Sequence, residues 1–189
     1  KRILLTLNDD ARVVLIKLAD RLHNCRTIEY MPEHKRDKIL SETMFVFIPL
    51  AHRLGLYGVK SEMEDIWLRY KEPEAFNDIT AKINRNVIDK DKEINDFIAP
   101  IDAALKSAGF VFEIKKRVKT PYSIWNKMNN KGIDFDQIYD LYAVRIIFDA
   151  DKVSGETERD QCYHIFSIIT GLYRYKSDRV RDWVNYPKN

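Results

Sequence analysis

The chain has 189 residues, 45% hydrophobic and 32% charged, enough for one large domain or two small ones with real cores. Its net charge of only +3 implies no large nucleic-acid-binding face, although clusters such as Lys115-Lys116-Arg117 and Arg179-Val180-Arg181 can still hold phosphates. No apolar run approaches the ~18–20 residues of a membrane-spanning helix, and no signal peptide is visible. Cys25 and Cys162 lie far apart, resemble no metal spacing, and read as free thiols of a cytoplasmic protein. A start on Lys1-Arg2-Ile3 and an end on Lys188-Asn189 lead to the expectation of an excised fragment.

In chain order, Asn8-Asp9-Asp10 is a good helix start, and periodicity predicts a helix over 9–27. Val14, Leu18 and Leu22 make its apolar stripe, while Asp20, Asn24 and Thr27 share another face at i, i+4 and i+7. Pro32 opens a second helix over 33–47. Pro49 is expected to interrupt it, and a third runs over 50–70 with bends at Gly55 and Gly58. The longest helix starts at Glu72-Pro73-Glu74. It keeps Ile79, Ile83, Val87, Ile94, Ile98, Ile101 and Leu105 mostly on one face and ends at Gly109.

After Gly109 the pattern changes. Residues 110–115 read as a strand by their β-branched and aromatic content, and 141–148 as a second, more deeply buried one. Between them, Thr120-Pro121 starts a helix with Pro at its first position. Residues 149–157 form a polar loop, 158–173 a helix, and Trp183-Val184 begin a third strand that Pro187 halts. The chain is therefore expected to be α+β: an all-helical N-terminal region followed by a mixed-sheet domain.

The chemistry concentrates in Arg117-x-Lys119-x-x-x-Ser123-x-x-x-Lys127-Met128. Two residues apart on a strand, Arg117 and Lys119 share a face. Four apart on a helix, so do Ser123 and Lys127. A helix N-terminus would add partial positive charge and free N–H groups. Arg offers a bidentate fork and Lys a point charge to a polyphosphate, and Asp140 can present an oxygen ligand to Mg²⁺. Spacing alone leaves two readings open, this phosphate site or a surface helix with ordinary basic residues.

The same run, followed by Tyr139-Asp140-Leu141-x-Ala143-Val144-Arg145, resembles the synthetase domain of the RelA/SpoT-homologue family, the bacterial enzymes that make and degrade the alarmones ppGpp and pppGpp in the stringent response. The resemblance implies a nucleotidyltransferase-like domain in which Arg117, Lys119, Ser123, Lys127 and Arg145 contact ATP and Asp140 binds a catalytic Mg²⁺. The implied reaction moves the β,γ-diphosphate of ATP to the 3′-hydroxyl of GDP or GTP. Arg179-Val180-Arg181-Asp182 resembles the basic Arg-x-Lys-Asp element of bifunctional members, with Arg181 in place of Lys. That swap keeps charge but not geometry. Arg179 and Arg181 are thereby implied in catalysis, and Lys188 in holding the acceptor nucleotide's phosphates. A Gly-Tyr element and a catalytic Glu are expected beyond Asn189.

Residues 17–27 resemble the last metal-ligand helix of the family's HD-type hydrolase domain. Asp20 is then a Mn²⁺ ligand, and Asn24 and Thr27 contact bound (p)ppGpp. The other ligands, including a His-Asp pair, do not occur in this chain, so it is expected neither to hold Mn²⁺ nor to hydrolyse. His23, His34, His52 and His164 read as structural. The implied organisation is the end of a hydrolase domain over 1–30, a helical connector over 31–108 that couples the two activities, and the first part of a synthetase domain over 109–189. The isolated chain is expected to be inactive in both directions. Any ribosome or tRNA contact would reside in regions outside it. Two rival readings are a non-catalytic nucleotide-sensing module and a helical interaction scaffold.

Overall fold

The computed structural model describes residues 11–150 and 155–187. The Asn8-Asp9-Asp10 helix start and Lys188 lie outside them. The chain divides into two compact units, residues 1–84 with 119–140 and residues 85–118 with 141–189.

The first unit is helical. Helix α1 (Ala11–Arg26) buries Val14 and Leu18 as its stripe demands. It is followed by a 3-10 turn (Ile28–Tyr30) and by α2 (Glu33–Glu42). Pro49 does not interrupt the helical run. A wide turn at Thr43–Phe47, closed by the Ile48 N–H donating to the Thr43 carbonyl, carries α2 into α3 (Ile48–Arg53). Pro49 then falls in the first turn of α3, where a missing N–H costs little. The break comes at Gly55 instead. Its φ of +71° is one that residues with a side chain rarely adopt, and α4 (Tyr57–Lys71) starts two residues later. Val14, Leu18, Cys25, Phe47, Ile48, Leu50, Ala51, Met63 and Ile66 form one core, so α1, α3 and α4 are held by the same burial. Cys25 and Cys162 are both free thiols, as expected.

Helix α5 (Pro73–Ser107) is the 35-residue helix read from the sequence, and Ile79, Ile83, Ile101 and Leu105 of its stripe are buried. Its end is a left-handed cap. Gly109 takes φ +81°, and the N–H groups of Gly109 and Phe110 return to the carbonyls of Lys106 and Leu105. Phe110 therefore closes a helix, and strand β1 starts two residues later than expected, spanning Phe112–Val118.

In the second unit β1 pairs antiparallel with β2 (Tyr142–Phe148), from Phe112 opposite Phe148 to Val118 opposite Tyr142. These two strands are the whole sheet among the described residues. Strand β2 is not deeply buried: half-buried and exposed residues alternate along it, because one face of the sheet is covered and the other open. Phe112, Ile114, Ile146 and Phe148 cover the core of Ile101, Leu105, Phe110 and Ile165, the last from α7 (Glu158–Leu172). Trp183 and Val184 lie in a turn rather than a third strand. The Asp182 carboxylate accepts the N–H groups of Val184 and Asn185, at 3.2 and 3.0 Å, and so diverts backbone donors that a strand would need. The outcome is the expected α+β arrangement, with a helical N-terminal region ahead of the sheet.

Candidate functional site

Helix α6 (Pro121–Lys131) belongs to the first unit and begins as the sequence implied. Thr120 is its N-cap, accepting the Ser123 N–H at 3.3 Å, and Pro121 takes the first helical position. Ile124, fully buried, anchors the helix, and Gly132 ends it at φ +60°. The expected free N–H groups at its start are absent, because each is already bonded. Pro121 has none, Tyr122 donates to the Asp65 carboxylate at 2.9 Å, Ser123 to Thr120 Oγ1, and Ile124 to the Thr120 carbonyl. What the helix offers a ligand is therefore side chains. The Ser123 hydroxyl accepts from Thr120 Oγ1 at 2.9 Å, which leaves its own proton to donate.

The lysines converge on one carboxylate. Lys119 Nζ lies 2.7 Å from one oxygen of Asp140, and Lys127 Nζ bonds the other. A short 3-10 turn (Phe135–Gln137) sets Asp140 there. Phe135 and Ile138 are buried, which leaves Tyr139 and Asp140 outside. The Asp140 side chain is 54% exposed and each lysine about a quarter. The Lys119 and Lys127 hydrogen bonds hold its carboxyl far below the usual range, so it is an anion at any physiological pH.

The second unit carries a different set of cations. The strand ends at Val118, so Arg117 and Lys119 do not share a strand face as expected. Instead Arg117 shares the open sheet face with Lys115 and Arg145. Lys115 is paired directly with Arg145, and Arg117 with Ala143. Lys116 points to the other face, where Asp91 Oδ1 and Asn95 Oδ1 of α5 accept its ammonium at 3.0 and 2.5 Å. The basic triplet is thus split by strand alternation, and only Lys115, paired with Glu113 at 3.1 Å, and Arg117 lie on the open face.

Arg179 ends a 3-10 turn (Ser177–Arg179), and Arg181 Nη1 donates to the Asp178 and Val180 carbonyls. Asp182 ties this segment to α7, accepting the Tyr163 hydroxyl at 2.8 Å. The Asn185 N–H and the Tyr163 hydroxyl hold its carboxyl below the ordinary range. A mostly apolar cleft of about 380 Å³, lined by Tyr163, Phe166, Tyr175, Arg181 and Trp183 among others, lies against α7.

On α1, Asn24 Nδ2 donates to Asp20 Oδ2 at 3.2 Å, so these two do share a face. The Thr27 hydroxyl turns back to the His23 carbonyl at 3.0 Å. Among the described residues no group of three or more His, Cys, Asp and Glu could hold a metal ion. For Mn²⁺ at Asp20 this is a poor fit, since such a site needs several protein ligands. For Mg²⁺ at Asp140 it is not, because Mg²⁺ keeps waters and substrate phosphates and needs one or two carboxylates. An exposed, anionic carboxylate suits that role.

Three features escaped the sequence reading. Lys115 was seen only as part of a cluster, and its exposure needed the strand register. Tyr139, 90% exposed beside Asp140, carried no separate signal. Asp65 lies 57 residues before its partner, beyond the reach of any spacing rule.

An anionic carboxylate held between Lys119, just ahead of α6, and Lys127, on α6 with Ser123, places phosphate-binding groups next to a possible divalent-cation ligand. Comparison with known proteins gives the same direction. A family model described as "HD domain" matches residues 1–57, and one described as "Region found in RelA / SpoT proteins" matches residues 116–189. A GTP pyrophosphokinase of Myxococcus xanthus is 36% identical over all of this chain and 24% of its own length. A guanosine-3′,5′-bis(diphosphate) 3′-pyrophosphohydrolase of Aquifex aeolicus is 34% identical over all of this chain and 26% of its own. A GTP pyrophosphokinase rsh of Brucella melitensis is 33% identical, covered to 24%. The chain belongs to the RelA/SpoT family and spans about a quarter of the length of these relatives.

Proposed function

We propose that this chain carries the ATP side of diphosphate transfer from ATP to the 3′-hydroxyl of GDP or GTP, in a cytoplasmic, bifunctional alarmone synthetase/hydrolase. The observation that carries the reading is the convergence of Lys119 and Lys127 on Asp140. Two cations held by one carboxylate exchange partners at little cost when a more highly charged ligand arrives, since exposed ion pairs are worth only ~0–1 kcal/mol. The polyphosphate then takes the lysines, and Asp140 would hold Mg²⁺, which would supply charge neutralisation on the phosphates. Ser123 donates to a phosphate oxygen, and Arg117 and Arg145 are further contacts to the nucleotide. Arg179 and Arg181 act on the transferred group, and Lys188 on the acceptor's phosphates.

In the reaction the 3′-oxygen of the acceptor attacks the β-phosphorus of ATP, its proton leaves to a base, the bond to the α-phosphate oxygen breaks, and AMP departs. The contribution of this chain is placement and charge, which lower the barrier when they favour the transition state over the bound substrate. On the hydrolase side, Asp20 would be one of several Mn²⁺ ligands only in the longer protein, with Asn24 and Thr27 as contacts to (p)ppGpp.

The test is phosphorus NMR of MgATP in the presence of the chain. Broadened or shifted β and γ signals that return to their positions with Lys127→Ala support the reading. Unchanged signals with the wild-type chain contradict it.

A further inference from the structure

We propose that Asp65 of α4 is a positioning residue for α6, the helix that presents Ser123 and Lys127. The inference rests on α6 being the ATP-phosphate helix, as proposed above.

The first turn of α6 must satisfy its own N–H donors. Pro121 has no N–H, Thr120 covers that of Ser123, and Ile124 bonds within the helix. The N–H of Tyr122 alone needs an acceptor from outside α6 and its cap, and Asp65 Oδ1 supplies it at 2.9 Å. A negative charge there also suits the positive end of the helix. Around this bond the two helices pack through rings. Trp67 of α4 lies 6.1 Å from the Tyr122 ring, edge to face, and 6.0 Å from that of Trp125. The rings hold α6 against α4, and the hydrogen bond fixes where its first turn begins. Ser123 follows Tyr122 directly and Lys127 lies one turn further, so both inherit that placement.

The carboxylate is kept there against a cost. Burial pushes the Asp65 carboxyl up to about 6, the Tyr122 N–H opposes the rise, and the charge of Glu64 adds to it. Lys60 pairs with Glu64 at 2.6 Å, and Arg26, Glu62 and Arg69 line the same cavity as Asp65, with Arg26 bonded to both oxygens of Glu62. An acid whose only role was surface solvation would not sit half-buried with its oxygen on a helix N–H.

The experiment uses the 189-residue chain with Asp65→Ala and Asp65→Asn, the second keeping an acceptor oxygen without the charge. Hydrogen exchange is read over residues 121–131, and MgATP affinity by calorimetry. For Asp65→Ala the expected result is about a five- to tenfold loss of amide protection confined to the start of α6, the size of a lost cap, and a several-fold weaker Kd. Asp65→Asn is expected to stay within about twofold of wild type in both. Unchanged protection in Asp65→Ala, loss spread evenly over the first unit, or no rescue by Asn would overturn the inference. Local loss of protection in a chain whose wild type binds no ATP would support the positioning role and overturn the ATP reading of α6.

Discussion

The two units present their cations in opposite ways. In the first, Lys119 and Lys127 are both bonded to Asp140, beside a helix whose first N–H groups are all satisfied. In the second, Lys115, Arg117 and Arg145 stand on an open sheet face, and among the described residues no carboxylate pairs with either arginine. The first arrangement is organised before any ligand arrives and must exchange partners to bind one. In the second, among the described residues, only Lys115 has a carboxylate partner to give up, Glu113 at 3.1 Å, so the set starts less ordered and contributes attraction more than geometry.

Breaking the anchor of the organised side should have the largest effect. Ile124→Ala removes a fully buried side chain from α6 and is expected to cost about 2–5 kcal/mol in urea unfolding. Next comes Asp140→Ala. In the protein at the length of its relatives it should lower diphosphate transfer by ~10²-fold or more, the scale of losing a charge-organising group, while the melting temperature stays nearly unchanged because the pair is exposed. On the sheet, Arg117→Ala should weaken MgATP binding by ~10-fold, the value of a charge-assisted bond. Lys116→Ala, on the other face, should change it less than twofold. Equal effects of the two would erase the contrast between the faces. Thr120→Ala should cost about 1 kcal/mol of stability through the lost N-cap.

A further effect is in pH. The Asp65 carboxyl is raised from 3.8 to about 6, so between those values the folded chain holds a proton that the unfolded chain has released. Stability should therefore fall as pH rises from about 4 to 6, and Asp65→Asn should flatten that slope. Asp140 acts with the opposite sign. Its carboxyl is depressed by Lys119 and Lys127, so its contribution is present above the ordinary carboxylate range and is lost as pH falls below it.

Much of this was legible from residues whose neighbours are close in sequence. Thr120-Pro121 marked the start of α6, Gly109 the end of α5, and the stripe Val14, Leu18, Leu22 the buried face of α1. Errors arose where one group answered to two neighbours. Phe110 looked like strand but its N–H belongs to the helix cap, and Trp183-Val184 looked like strand but Asp182 takes the backbone donors. Pro49 looked like a stop, yet a wide turn absorbed it. In the site, the meeting of Lys119, Lys127 and Asp140 followed from motif order. The bond from Tyr122 to Asp65 could not, because it joins elements that only folding brings together.

The most direct measurement is a calorimetric titration of the chain with ATP and Mg²⁺, run beside Arg117→Ala and Asp140→Ala. Saturable binding that both substitutions weaken, with the Mg²⁺ dependence lost in Asp140→Ala, is the predicted result. Absence of binding, or binding indifferent to both substitutions, would contradict the assignment of these residues to an ATP site.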